Sequence, residues 1–118
     1  MARRMACSLT IDAVRARIKT ETRRAANTWT TLLPGDPLVL IEKGMGLPKG
    51  SHQVELAHVV VDDVVVERLS AITLDGVRRE GFDPDEWTPT TWCLWWKKQH
   101  GVFITEDPLV RVIRWYYE

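Results

Sequence analysis

Residues 18–29 read IKTETRRAANTW and gather Lys19, Thr20, Thr22, Arg23 and Arg24 within six positions. Guanidinium groups offer forked donors that match phosphate oxygens, and a threonine hydroxyl can both donate and accept. In an extended segment Thr20, Thr22 and Arg24 share one face, while Glu21 and Arg23 share the other. The chemistry this stretch offers is capture of a phosphate beside a hydroxyl. Its structural counterpart is plainer, with Lys19 closing a helix and Thr22 opening a strand.

The charge distribution bears on the same stretch. Sixteen basic and sixteen acidic residues give a formal net charge of zero over 118 residues. Residues 1–30 nevertheless hold seven basic groups (Arg3, Arg4, Arg15, Arg17, Lys19, Arg23, Arg24) against Asp12 and Glu21, a local +5 that the remainder balances. A local positive field attracts phosphate even on a neutral protein. Spread around a solvated helix, the same charges would only keep the surface wet. Hydrophobic residues at 45% and charged ones at 27% fit an ordinary globular domain with one sizeable core. No apolar run approaches the roughly 18 residues of a membrane-spanning helix. The opening MARRMACSLT lacks the apolar block of a secretory signal, although its Arg-rich, acid-poor character also fits a transit peptide. Cys7 and Cys93 are too few for a disulfide framework and are expected reduced, in a cytoplasmic setting. With His52, His58 and His100 they form no metal-ligand spacing, so neither metal nor cofactor is expected.

The elements that must position these residues follow from periodicity. MACSL at 5–9 alternates Met5, Cys7 and Leu9 as a short strand with one buried face. Thr10 can cap a helix whose stripe is Ile11, Val14 and Ile18, ending near Lys19. LPGDP at 33–37 is a turn, and LVLIEK behind it a strand. GMGLPKGSH is a glycine-rich loop flanked by Lys43 and Lys49. QVELAHVVV and VVVERL are strands separated by Asp62-Asp63, a bulge or a turn, and His58 among the valines is expected in the core. Asp75 or Thr73 opens a short helix that Gly81 ends. Thr88-Pro89 opens another, closed by Gly101, in which Trp92, Trp95, Trp96 and Gln99 recur at helical spacing. That stripe reads first as core; a tryptophan left exposed would mark a partner surface or a homodimer contact. His100 suits the helix C-terminus. PLVRVIRWYY at 108–117 is the closing strand. Five or six strands and about three helices, not interleaved one for one, predict a single α+β domain over 1–118 with a curled, largely antiparallel sheet.

Taken in order, these segments resemble the ASCH family of the PUA-like superfamily. The likeness runs from CSLT before a helix, through IKTETRR, the PGD turn with its apolar strand, the long valine-rich strand and ERLSAI, to VRREGF, an aromatic helix and a strand ending in aromatics. The resemblance implies a small PUA-like β-barrel with helices at its side and across one opening. It also implies binding of RNA or nucleotides in a cleft beside the first helix. One small bacterial branch hydrolyses the amide of 4-acetylcytidine with a lysine, a threonine and a glutamate. Its K-T-x-T-x-R segment falls on Lys19 through Arg24, so Lys19 and Thr22 match its lysine and threonine, and RREGF carries its glutamate onto Glu80. This chain is longer than that branch, its glycine-rich loop differs, and its tryptophan-rich helix is unusual. A ribonuclease activity is also assigned to an ASCH member, but no residue maps from it.

Three functions are therefore open. In the binding reading, Arg23 and Arg24 hold phosphate, Thr20 and Thr22 lie beside them, and Lys43 and Lys49 flank a loop small enough for close approach. Trp29 either stacks on a base or packs on the LLPG turn, and the barrel mouth holds one extruded base. The partners expected are RNA, single-stranded nucleic acid or a modified nucleoside. In the hydrolytic reading, Thr22 attacks, a neutral Lys19 takes its proton, and Glu80 passes a proton to the leaving amine. Arg24 can alternatively bridge to Glu80 as a structural pair. The third reading is a protein-interaction module built on the tryptophan helix.

Overall fold

A computed structural model describes residues 2–43 and 46–118. Five strands form one mixed sheet: β1 Arg3–Ala6, β2 Glu21–Ala25, β3 Pro37–Ile41, β4 Glu55–Arg68 and β5 Leu109–Tyr117. Their order is β1-β3-β4-β5-β2, with β1 parallel to β3 and every other pair antiparallel. The sheet curls into a half-barrel, so its two edge strands approach each other. Arg24 on β2 donates from Nη2 to the carbonyl of Ala6 on β1 at 2.6 Å and bridges that seam. Three helices complete the α+β fold: α1 Ile11–Arg15, α2 Leu74–Arg79 and α3 Pro89–His100. Gly44 and Met45, which open the expected glycine-rich loop, lie outside the described residues.

The fourteen residues of β4 are one strand rather than two. Val61 pairs with Trp115 and Asp63 with Arg114, so Asp62 is a bulge that bends the strand without ending it. His58 is exposed, contrary to the core position expected. Val59 and Val61 are buried, so the pleat turns His58 to the opposite face, where its Nε2 meets Glu55 at 3.1 Å.

Two apolar clusters lie on opposite faces of the curled sheet. Met5, Val14, Leu38, Leu40, Val59, Ile113 and Trp115 fill the half-barrel. Leu69, Ile72, Val77, Trp92, Trp96, Val110 and Val112 pack beneath α2 and α3. The parity of β5 explains the split, since Val110 and Val112 face the helices while Ile113 and Trp115 face the barrel.

Helix α1 stops at Arg15, short of the expected end near Lys19. Arg17 takes a left-handed φ of 59°, Arg17 N–H bonds the Val14 carbonyl and Ile18 N–H bonds that of Ala13. This is a Schellman closure. It leaves Ile18 exposed and turns Lys19 inward. Leu9, expected buried, is exposed where the chain turns from β1 toward α1. Thr10 stands at the N-cap of α1 without a side-chain capping bond.

Helix α2 closes in the same way, with Gly81 at φ 100°, Gly81 N–H on Arg78 and Phe82 N–H on Val77. Glycine is required there twice over, because a Cβ would also lie 2.6 Å from the Cβ of Ala13. The close approach sets the end of α2 against α1 and brings Glu80 to Lys19. Helix α3 follows its expected bounds, with Thr88 and Thr91 forming a reciprocal capping box and Gly101 left-handed at its end.

Candidate functional site

The two helix closures deliver Lys19 and Glu80 to one place. Lys19 Nζ donates to Glu80 Oε1 at 2.9 Å and to the Glu80 carbonyl at 2.8 Å, with both side chains about 4% exposed. The Lys19 backbone is held as firmly: its carbonyl accepts from Trp115 Nε1 at 3.2 Å and from the Tyr117 hydroxyl. Thr20 N–H bonds the Arg79 carbonyl at 2.8 Å, tying the start of β2 to the end of α2.

Strand β2 then alternates as its sequence requires. Glu21 and Arg23 turn toward the helices, where Arg23 Nη1 donates to Glu21 Oε2 at 2.5 Å and to Glu80 Oε2 at 3.1 Å. Arg114, opposite Glu21 on β5, donates to Glu21 Oε1 and to Asp63 Oδ2, each at 3.2 Å. An alternating chain of charge, Lys19–Glu80–Arg23–Glu21–Arg114–Asp63, thus runs from the interior to the surface. Gly76 admits it, since a Cβ there would lie 3.2 Å from Arg23 Nη2 and 2.8 Å from Ile72. The carboxylate bridge expected for Arg24 is made by Arg23.

Thr22 and Arg24 occupy the other face. Arg24 Nε donates to Thr22 Oγ1 at 3.2 Å, and among the described residues Arg24 forms no ion pair. Its charge is offset only by a hydroxyl and a carbonyl.

Lys19, Thr22, Arg23, Arg24 and Glu80 border one cavity of about 170 Å³ at the seam between β1 and β2. Phe82, Trp92, Trp95 and Trp96 wall its other side, and Cys7 and His100 also line it. Sequence reasoning assigned the tryptophans to the core and His100 to a helix end. Both readings are correct, and neither revealed that the same residues bound the cavity. The signal available was the four-residue spacing of Trp96 and His100, which stack at 3.8 Å with ring planes 13° apart. Trp96 is further fixed by Nε1–H donation to the Arg23 carbonyl at 3.0 Å. Burial pushes the Cys7 thiol above its ordinary value, against the opposing pull of Lys19 and Arg24, which disfavours the thiolate. Among the described residues no group of His, Cys, Asp and Glu could hold a metal ion.

Four residues singled out from sequence lie away from the cavity. Thr20 serves the β2–α2 junction. Trp29 is half-buried beside the barrel core, and the Arg3 guanidinium covers its ring at 4.5 Å. Lys43 and Lys49 are exposed. Among the described residues, four of the seven N-terminal cations are held in ion pairs. Arg4 pairs with Glu55, Arg15 with Glu42, Lys19 with Glu80, and Arg23 with Glu21 and Glu80. A second, mostly polar cleft of about 370 Å³ lies on the α2 side of β2 and shares Arg23 with the first.

No protein-family model matches the chain, and no curated protein matches it significantly. Two solved structures share its fold. Protein EF3133 from Enterococcus faecalis V583, of family model DUF984, superposes with a TM-score of 0.68 at 12% identity, covering 100% of this chain and 76% of that one. An ASCH domain from Lactobacillus crispatus JV V101 superposes with a TM-score of 0.60 at 14% identity, covering 98% and 79%. At these identities the likeness shows an ASCH-like fold. No helix among the described residues is long and apolar enough to cross a membrane.

Proposed function

We propose that this ASCH-like domain binds one nucleotide unit, free or within single-stranded RNA, in the cavity at the β1–β2 seam. The observation that carries the reading is the pairing of an aromatic wall with Arg24, a cation that no carboxylate neutralises among the described residues. The volume, about 170 Å³, suits a single six-membered ring, since a cavity of about 150 Å³ is enough to take up benzene. A base enters against the wall of Phe82 and Trp95, its polar edge meets Lys19, Glu80 and Thr22, and its phosphate meets Arg24. The ASCH-like fold supports the reading, because ASCH domains are thought to bind RNA.

The test is quenching of tryptophan fluorescence by cytidine, uridine, adenosine and guanosine 5′-monophosphates, each with its bare nucleoside. Saturable quenching by the pyrimidine nucleotides, weaker for the nucleosides and weakened by salt, is expected. No saturable response to any of the eight would overturn the reading.

A second reading is hydrolysis of an acylated pyrimidine nucleoside such as 4-acetylcytidine, with Thr22 as nucleophile, Lys19 as base and Glu80 as acid/base. Its support is that all three residues border the same cavity. Binding is the better supported of the two. Lys19 Nζ bonds Glu80 twice, and Thr22 Oγ1 accepts from Arg24, so no hydrogen bond joins the nucleophile to its base. Release of cytidine from 4-acetylcytidine, abolished in Thr22→Ala with affinity retained, would establish hydrolysis. The interaction-module reading has less to rest on, because Trp92 and Trp96 are buried and Trp95 packs against Phe82, Trp87 and Trp92.

A further inference from the structure

We propose that His100 forms a sugar-hydroxyl subsite, in which its Nε2 accepts a hydrogen bond from the ribose 2′-hydroxyl of the bound nucleotide. The inference rests on the nucleotide reading above and adds to it the atom that tells ribose from deoxyribose.

The chemistry begins with a carbonyl. His100 Nδ1 lies 2.9 Å from the backbone oxygen of Trp96. A carbonyl oxygen only accepts, so Nδ1 carries the proton in that bond. In the neutral ring the proton on Nδ1 leaves Nε2 with a free lone pair, an acceptor. The ring is held by two independent constraints, this bond and the stack on Trp96. Trp96 is itself buried and anchored to β2. His100 is therefore an exposed but oriented acceptor at the border of the cavity.

Its neighbours supply the complementary half of the argument. Lys19 and Arg24 are donors and match the acceptor edges of a base and a phosphate. Both Glu80 oxygens already accept from Lys19 and Arg23, and Thr22 Oγ1 already accepts from Arg24. Of these acceptors His100 Nε2 has no partner among the described residues, while the oxygens of Glu80 and Thr22 keep their remaining lone pairs for the base edge. With the base inside and the phosphate at Arg24, the sugar lies at the mouth, and its 2′-hydroxyl is the donor that RNA has and DNA lacks.

The experiment is calorimetric titration of the whole protein with cytidine 5′-monophosphate and its 2′-deoxy counterpart, in buffer near about pH 8. The variants are His100→Phe, which keeps a stacking ring without an acceptor, and His100→Ala. One neutral hydrogen bond predicts that the wild type prefers the ribonucleotide by about five-fold. His100→Phe should bring the ratio to about one by weakening the ribonucleotide alone, and His100→Ala should do the same. Equal binding of the two nucleotides by the wild type overturns the subsite while leaving the nucleotide reading intact. A preference that survives in both variants also overturns it, because the discrimination then lies elsewhere. Failure of the wild type to bind either nucleotide removes both readings together. Circular dichroism of the variants guards against misfolding, which would lower both affinities and leave their ratio unchanged.

Discussion

Arg23 and Arg24 are adjacent in sequence, and strand β2 sends them to opposite faces of the sheet. Arg23 is 3% exposed and lies between the carboxylates of Glu21 and Glu80 under α2 and α3. Arg24 reaches across the barrel seam to a hydroxyl and a carbonyl, with no carboxylate partner among the described residues. The same guanidinium chemistry thus serves two ends. On the helix side its charge is consumed holding a buried network together, and on the barrel side it remains available to a ligand. Charge counted along a sequence does not measure the charge a ligand meets.

Breaking the interior half of that comparison should have the largest effect. Arg23→Met leaves buried Glu80 with Lys19 alone and buried Glu21 with Arg114 alone, and should cost about 3 kcal/mol in urea unfolding. A loss below about 1 kcal/mol would mean that the alternating chain of charge is not what stabilises this face. Gly81→Ala tests the junction that brings Glu80 to Lys19. It combines a left-handed backbone with a Cβ set 2.6 Å from that of Ala13, and about 2–4 kcal/mol should be lost. An unchanged midpoint would show that α1 and α2 can separate without cost. Arg24→Met should be milder, about 1–2 kcal/mol for two hydrogen bonds in a partly solvated seam. Should it destabilise as much as Arg23→Met, the two faces would not differ in the way described.

The smallest effect lies outside β2. Hydrogen bonds from the Ser70 hydroxyl and then its backbone N–H hold the Asp107 carboxyl below its ordinary value. As pH falls through the ordinary carboxylate range near about 4, the unfolded chain takes up that proton first. The contribution of Asp107 is therefore present above that range and lost below it. Asp107→Asn should make the acid decline of stability slightly shallower, while an identical decline would assign acid sensitivity to other carboxylates.

Much of this arrangement was legible in the sequence because its signals are local. Thr88-Pro89, Gly81 and Gly101 mark helix ends through backbone chemistry that each residue carries with it. The parity of residues 20–24 correctly separated Glu21 and Arg23 from Thr22 and Arg24. Which face would be buried was not legible, because β2 is wedged between the barrel and α3 and both faces lose solvent. The acids that neutralise Arg4, Arg15 and Lys19, namely Glu55, Glu42 and Glu80, arrive from distant segments, so the +5 count along residues 1–30 overstates the charge left unpaired. Arg17 in a left-handed conformation violates the preference for glycine, which is why α1 was read as longer than it is. The valine-rich composition around His58 suggests a core position, whereas its alternation with buried Val59 and Val61 places it outside.

The central claim is that Arg24 carries the charge a ligand meets and that Arg23 does not. Calorimetric titration of cytidine 5′-monophosphate and of cytidine into wild type and Arg24→Ala tests it most directly. The account predicts that the substitution weakens the nucleotide by at least about ten-fold, as loss of a charge-assisted contact requires, and leaves the affinity for cytidine nearly unchanged. Equal nucleotide affinity in the two proteins would contradict it and return the seam arginine to a purely structural role.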